Sequence, residues 1–257
     1  VTFATYEAHE LERISGEAPD NGLALAIIPG GSACHTEFAK NAANYPLAFM
    51  RPTVGWISGH DLLKEGHTPW VYDGQVAKAF PDRVAVAQLT LPDGECPVIE
   101  IVNIFAPDGG DVIHFEETGF TPEWCTVNGT RQRFCDYVLA RGREGCDLPL
   151  VGNYGGAHVN ASLKTIDSEA GTVELFAPVF PGVDYAFAAP VADYAGDFRQ
   201  ALAEHPTAGT VWSCNCILNF MFGKLEGVAI GGAAGPVTFG EIAYQLLNQT
   251  MVVLRKE

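Results

Sequence analysis

The sequence predicts an α/β protein of the α+β kind, a layered sandwich of mixed, largely antiparallel β-sheets flanked by helices. Three observations carry that expectation. Of 257 residues, 47% are apolar and 18% charged, the balance of a chain that buries a core. Short β-rich runs bounded by turn residues recur along most of the length. Between them stand three segments whose apolar residues return at helical spacing.

The elements follow in order. Residues 23–28 form a continuous apolar run that stops at Pro29-Gly30-Gly31, after which Cys34, Phe38, Ala42 and Tyr45 fall on one helical face. Strand, glycine turn and helix are expected, with Ser32 as the helix cap; exposed amides there also suit an anion. Residues 46–74 are rich in Pro, Gly, His and Trp, which predicts a long ordered loop with short strands, suited to a lid or wall. Residues 84–91 and 98–105 flank Pro92-Asp93-Gly94-Glu95 and read as an antiparallel hairpin. A helix over 131–141 turns Phe134, Cys135, Tyr137 and Val138 inward and ends at Gly142. The runs 148–151, 161–166, 172–176 and 185–189 suggest an antiparallel meander, with Ser168-Glu169-Ala170-Gly171 as a turn. Residues 193–204 read as a helix ending before His205-Pro206, and a strand-rich stretch begins at Gly209. A mild change of composition near Gly145 divides the chain into an N-terminal region, 1–144, and a C-terminal region, 145–257. One continuous domain is the other reading.

Charge and cysteine usage narrow the function classes. A formal charge of −16 with only 15 Lys and Arg disfavours nucleic acid and an anionic membrane surface. No apolar run approaches the ~20 residues of a membrane span. Seven cysteines without framework spacing suit free thiols, hence a reducing cytoplasm. Asn128-Gly-Thr130, Asn160-Ala-Ser162 and Asn248-Gln-Thr250 would be glycosylation acceptors in a secreted chain, but no leader precedes them; Val1 at the start leaves a removed leader open.

The C-terminal part holds the residues with most chemistry. One strand delivers Cys214, a Gly235-Pro236 turn leads to Gly240-Glu241, and Asn248-Gln249-Thr250 opens the last strand. Polar groups at strand ends and loops are the usual seats of binding sites. On these residues the chain resembles the C-terminal part of the FIST family of prokaryotic sensory domains, over about its last fifty residues. That resemblance implies an α/β sensor of small, amino-acid-like ligands whose output passes through a signalling partner, with haem as an occasional cofactor. It departs from the family in its shorter length and in the absence of an Arg shortly after Cys214.

The expected ligand-binding set is Cys214, Asn219, Glu241 and Asn248, with Tyr154 and His158 from the glycine-rich Tyr154-Gly155-Gly156-Ala157-His158 stretch. Glu241 would meet an ammonium or hydroxyl, and Asn219 and Asn248 would hydrogen-bond polar ends. Each has a plainer role: Cys214 as a small core residue, Glu241 as a solvated turn carboxylate, Asn248 as a turn cap. No metal site is expected, because Cys214-x-Cys216 lacks a second pair and His60, His67, His114 and His158 are scattered. No catalytic set is evident. The rival readings are a cysteine-dependent hydrolase or transferase using Cys214 or Cys34, and a scaffold without a small ligand.

Overall fold

The computed structural model describes residues 1–61, 64, 66–143, 145, 147–205, 209–228 and 235–257. Those residues form a mixed α/β structure, 18% helix and 40% strand, in open sheets that pair mostly antiparallel. β1 (Thr2–Tyr6) and α1 (Arg13–Glu17) lead into β2 (Gly22–Pro29), α2 (Ala33–Asn41) and β3 (Thr53–Ser58). β2 and β3 run parallel with α2 as the crossover between them. Ser32 caps α2 as expected, its Oγ accepting the His35 amide at 3.1 Å.

The apolar run of β2 serves two faces at once. Ala24, Ala26 and Ile28 pack with Cys34 and Phe38 of α2, whereas Leu23 and Leu25 join Leu254 and Trp212 on the opposite side. Inside the stretch expected to be loop, β3 is a central strand. A Cβ on Gly55 would sit 1.8 Å from the Ala26 carbonyl oxygen, and Gly55 has φ +148, so the close pairing of β2 and β3 requires glycine. Beyond it, β4 (Val71–Asp73) and β5 (Lys78–Phe80) make a small hairpin, and β6 (Val84–Thr90) inserts between β1 and β2.

β7 (Pro97–Val102) corrects the expected hairpin. The turn itself forms, with the Glu95 amide bonding the Pro92 carbonyl at 3.1 Å. Cys96 then exchanges backbone bonds with Glu257, which directs β7 onto the last strand and into a different sheet from β6. β8 (Ile113–Phe115), β9 (Trp124–Val127) and β10 (Thr130–Arg133) follow, and α3 (Phe134–Ala140) is shorter than the predicted helix. Asn128 and Gly129, at φ 49 and 85, close a β9–β10 hairpin that claims residues 130–133. Phe134, Cys135, Tyr137 and Val138 of α3 are buried as expected.

The predicted meander is split. β11 (Leu150–Tyr154) and β12 (Ala157–Ala161) pair with each other, β13 (Leu163–Asp167) and β14 (Thr172–Leu175) form a separate hairpin over the expected turn, and β15 (Asp184–Phe187) lies between β8 and β11. α4 (Tyr194–Glu204) stands where expected, its N-cap Asp193 accepting the Gly196 amide at 2.9 Å. β16 (Thr210–Cys216), α5 (Ile217–Phe222), β17 (Val237–Thr238), β18 (Glu241–Ala243), β19 (Gln245–Leu247) and β20 (Met251–Lys256) complete the chain.

Three larger sheets result: β1-β6-β2-β3-β18-β19, β10-β9-β8-β15-β11-β12 and β17-β16-β20-β7. All three combine strands from before and after Gly145. No helix among the described residues is long and apolar enough to cross a membrane.

Candidate functional site

The segment Asn248-Gln249-Thr250, between β19 and β20, is polar and almost wholly buried. Burying that many donors and acceptors is tolerable only where each finds a partner, and the neighbouring elements supply most of them. Asn248 Oδ1 accepts the Ser162 amide at 2.9 Å, and the Ser162 hydroxyl lies within hydrogen-bond reach of the side-chain oxygens of Asn248 and Gln249. Gln249 Nε2 donates to the Asp147 carbonyl at 3.1 Å, and its own backbone carbonyl accepts Asn160 Nδ2 at 3.1 Å. Gln249 holds φ +50, a costly conformation for a side chain of its size, kept by these bonds.

Thr250 links this segment to Glu241. Its amide and hydroxyl donate to Glu241 Oε1 at 3.1 and 2.6 Å, and its carbonyl accepts Asn219 Nδ2 at 2.9 Å and the Cys216 amide at 3.2 Å. Asn219 also donates to Asn215 Oδ1 at 2.9 Å and receives the Tyr194 hydroxyl on Oδ1 at 2.7 Å. A continuous chain of hydrogen bonds thus runs from Tyr194 on α4, through α5, to the carboxyl of β18.

Glu241 is the electrostatic centre. Complete burial pushes its carboxyl from 4.5 up to about 8, against the opposing bonds from Thr250 and the Cys216 thiol, which favours the protonated acid near neutral pH. Its Oε2 and Asn248 Nδ2 are buried without a hydrogen-bond partner among the described residues. Burial, with the Glu241 charge adding to it, raises the Cys214 and Cys216 thiols far above their ordinary value. Cys214 Sγ instead lies 3.1 Å from Thr238 Oγ1, and Cys34, pushed to about 11 by burial, donates to the Asp82 carbonyl at 3.1 Å.

Of the six residues singled out from sequence, Cys214, Asn219, Glu241 and Asn248 are buried in this one region. Tyr154 and His158 are not among them. Tyr154 is half-buried with its hydroxyl 3.0 Å from that of Tyr185, and His158 is exposed on β12. Tyr194 and Ser162, which sequence reasoning passed over, and Gln249 and Thr250, which it named only as neighbours of Asn248, carry as many of the bonds. The signal available for two of them was the triplet Asn248-Gln249-Thr250, a polar interruption of an apolar run. As glycosylation acceptors Asn160 and Asn248 are excluded in the folded chain, being 1% and 2% exposed.

A surface cleft opens over the outer end of the network. Its volume is about 540 Å³, and its lining includes Asp147, Asp193, Tyr194, Met221 and Lys224. Tyr194 is therefore both a wall of the cleft and the first member of the buried chain. Neither the carboxylates of Asp147 and Asp193 nor the ammonium of Lys224 has an ion-pair partner among the described residues. No group of three or more His, Cys, Asp or Glu side chains among the described residues is placed to hold a metal. Six cysteines are free, and Cys146 lies outside the described residues.

The model described as "Family of unknown function (DUF6976)" matches residues 1–257. The chain belongs to that family. No FIST domain is found, so the FIST resemblance is overturned: the Cys, Gly-Glu and Asn-x-Thr motifs it rested on are short and here build a packed, hydrogen-bonded interior. Haem, implied only through that resemblance, loses its warrant with it. No curated protein and no solved structure matches the DUF6976 chain.

Proposed function

We infer that this DUF6976 protein binds a small zwitterionic molecule, amino-acid-like in size and charge, in the cleft above Tyr194. One observation carries the reading: Tyr194 lines that cleft and also donates to Asn219, so a ligand touching the ring is coupled to the buried chain ending at Glu241. The charges fit the ligand class. Lys224 would take a carboxylate, Asp147 or Asp193 an ammonium, and Met221 an apolar side chain. In this reading the protein is a sensor without catalytic chemistry of its own, and a partner protein reads the bound state. In the same reading the sheets stack in layers, with the network as the seam between them.

The thiol-dependent reading draws no support from Cys214 or Cys34, whose burial raises their pKa where a nucleophile needs it lowered. Calorimetric titration with the twenty standard amino acids tests the sensor reading. The expected result is saturable binding by one chemical group of them, weakened about tenfold or more in Lys224→Met, which removes a charge-assisted contact. Absence of binding across the panel, or binding indifferent to Lys224→Met, would remove the cleft from the function.

A further inference from the structure

The first sheet carries a second hollow that the sensor reading leaves unused. β2 alternates, and its outward face, with that of β6, is covered only in part. Near Leu23 and Leu89 the third sheet lies over it through Leu254, Ile99 and Trp212. Toward Ile27 and Ala85 that cover ends, leaving a cavity of about 450 Å³. Its floor is aliphatic, formed by Leu25, Ile27, Ala85 and Ala87, and two alanines in register with Leu25 and Ile27 give it depth. Phe3 of β1 and Tyr72 of the β4–β5 hairpin flank it, 60% and 57% exposed.

Asp73 is the one charged residue of this lining. Its Oδ1 accepts the Gln75 amide at 2.8 Å, and it has no ion-pair partner among the described residues. An apolar floor beside a lone carboxylate and two aromatic faces suits a molecule with an apolar body and an ammonium head. The body excludes water from the floor, the head pairs with Asp73, and the rings attract a cation. An anionic amphiphile would bring its charge against that carboxylate and against a chain of net charge −16.

We propose that the hollow bounded by β1, β2, β6 and the β4–β5 hairpin is a binding site for an amphiphilic amine, distinct from the cleft at Tyr194. The two share no lining residue, so the proposals stand or fall separately.

Calorimetric titration of the full chain with octylamine, octanol and octanoate tests this. Octylamine binds saturably and more tightly than octanol, and octanoate binds least. Ala87→Leu fills the floor and lowers octylamine affinity at least about tenfold, while Asp73→Asn keeps the turn bond to Gln75 and lowers it about fivefold, to the level of octanol. The Asp73→Asn arm stands on its own if Ala87→Leu misfolds, and Lys224→Met leaves octylamine binding unchanged. Equal binding of octanoate, or octylamine binding indifferent to both hollow variants as expected of diffuse attraction to an acidic surface, overturns the proposal. So does sedimentation of the free protein as a dimer that Ala87→Lys dissociates, which assigns the face to a second copy.

Discussion

The Tyr194 hydroxyl donates to Asn219 Oδ1 at 2.7 Å, joining the first turn of α4 to the buried face of α5. Through Asn219 the same contact reaches Thr250 and then Glu241, four side chains on four separate segments of the chain. Tyr194→Phe leaves the ring in place and strips the donor, so Asn219 Oδ1 becomes a buried acceptor without its partner. The expected cost is ~1–3 kcal/mol in chemical denaturation. A change near zero would mean that water replaces the hydroxyl.

Glu241 makes stability depend on pH in an unusual direction. Its folded pKa is raised from 4.5 to about 8, so its stabilisation is complete below pH 4.5 and drains away as pH rises to about 8. Glu241→Gln keeps the acceptor for Thr250 and cannot ionise. The variant should lie within about 1 kcal/mol of the wild type near pH 5 and exceed it by a few kcal/mol near pH 8.5, since every tenfold change in a proton-binding constant between the folded and unfolded chain is worth about 1.4 kcal/mol. Denaturation curves at pH 5, 6, 7 and 8.5 decide the matter, and a wild-type-to-variant difference constant across them would contradict a neutral buried acid. Glu10, Glu17 and Glu116, whose carboxyls are lowered by backbone or side-chain bonds, lose their contribution at the acid end instead.

Gly55→Ala should prevent stable folding. The added methyl meets the Ala26 carbonyl oxygen in the centre of the first sheet, and neither backbone can yield without breaking the β2–β3 ladder. A loss above ~4 kcal/mol is expected, read as insoluble expression or absent near-ultraviolet dichroism. A well-folded Gly55→Ala protein would show that the two strands do not approach each other this closely.

Among the described cysteines, alkylation of the native protein near neutral pH should mark Cys96 first, because it is exposed while Cys34, Cys125, Cys135, Cys214 and Cys216 are buried. Peptide mapping after a short iodoacetamide pulse reads this directly. Fast labelling at Cys214 would reopen the nucleophile reading.

Local signals gave the parts of this fold that depend on neighbours in sequence. Ser32 and Asp193 announce two helix starts, and Ser168 to Gly171 announces the β13–β14 turn. Asn128-Gly129 carries an equally strong hairpin signal, hidden when the triplet is read as a glycosylation acceptor. What no window could supply was partnership at a distance: β7 waits for β20, and β3 takes β18 as its second neighbour. The site follows the same division. Cys214, Asn219, Glu241 and Asn248 stand out as polar or thiol groups in apolar surroundings, whereas Tyr194 and Ser162 become meaningful only when α4 and the β12–β13 junction meet them.

The placement of β18 and β19 at the far side of β3 has a consequence for biosynthesis. A ribosome releases β2 and β3 long before Glu241, so throughout the synthesis of the intervening chain the β3 edge has exposed, unpaired backbone groups. That edge is covered only when β18 arrives, and a nascent chain arrested after β3 but before β18 presents it to its neighbours on the same polysome.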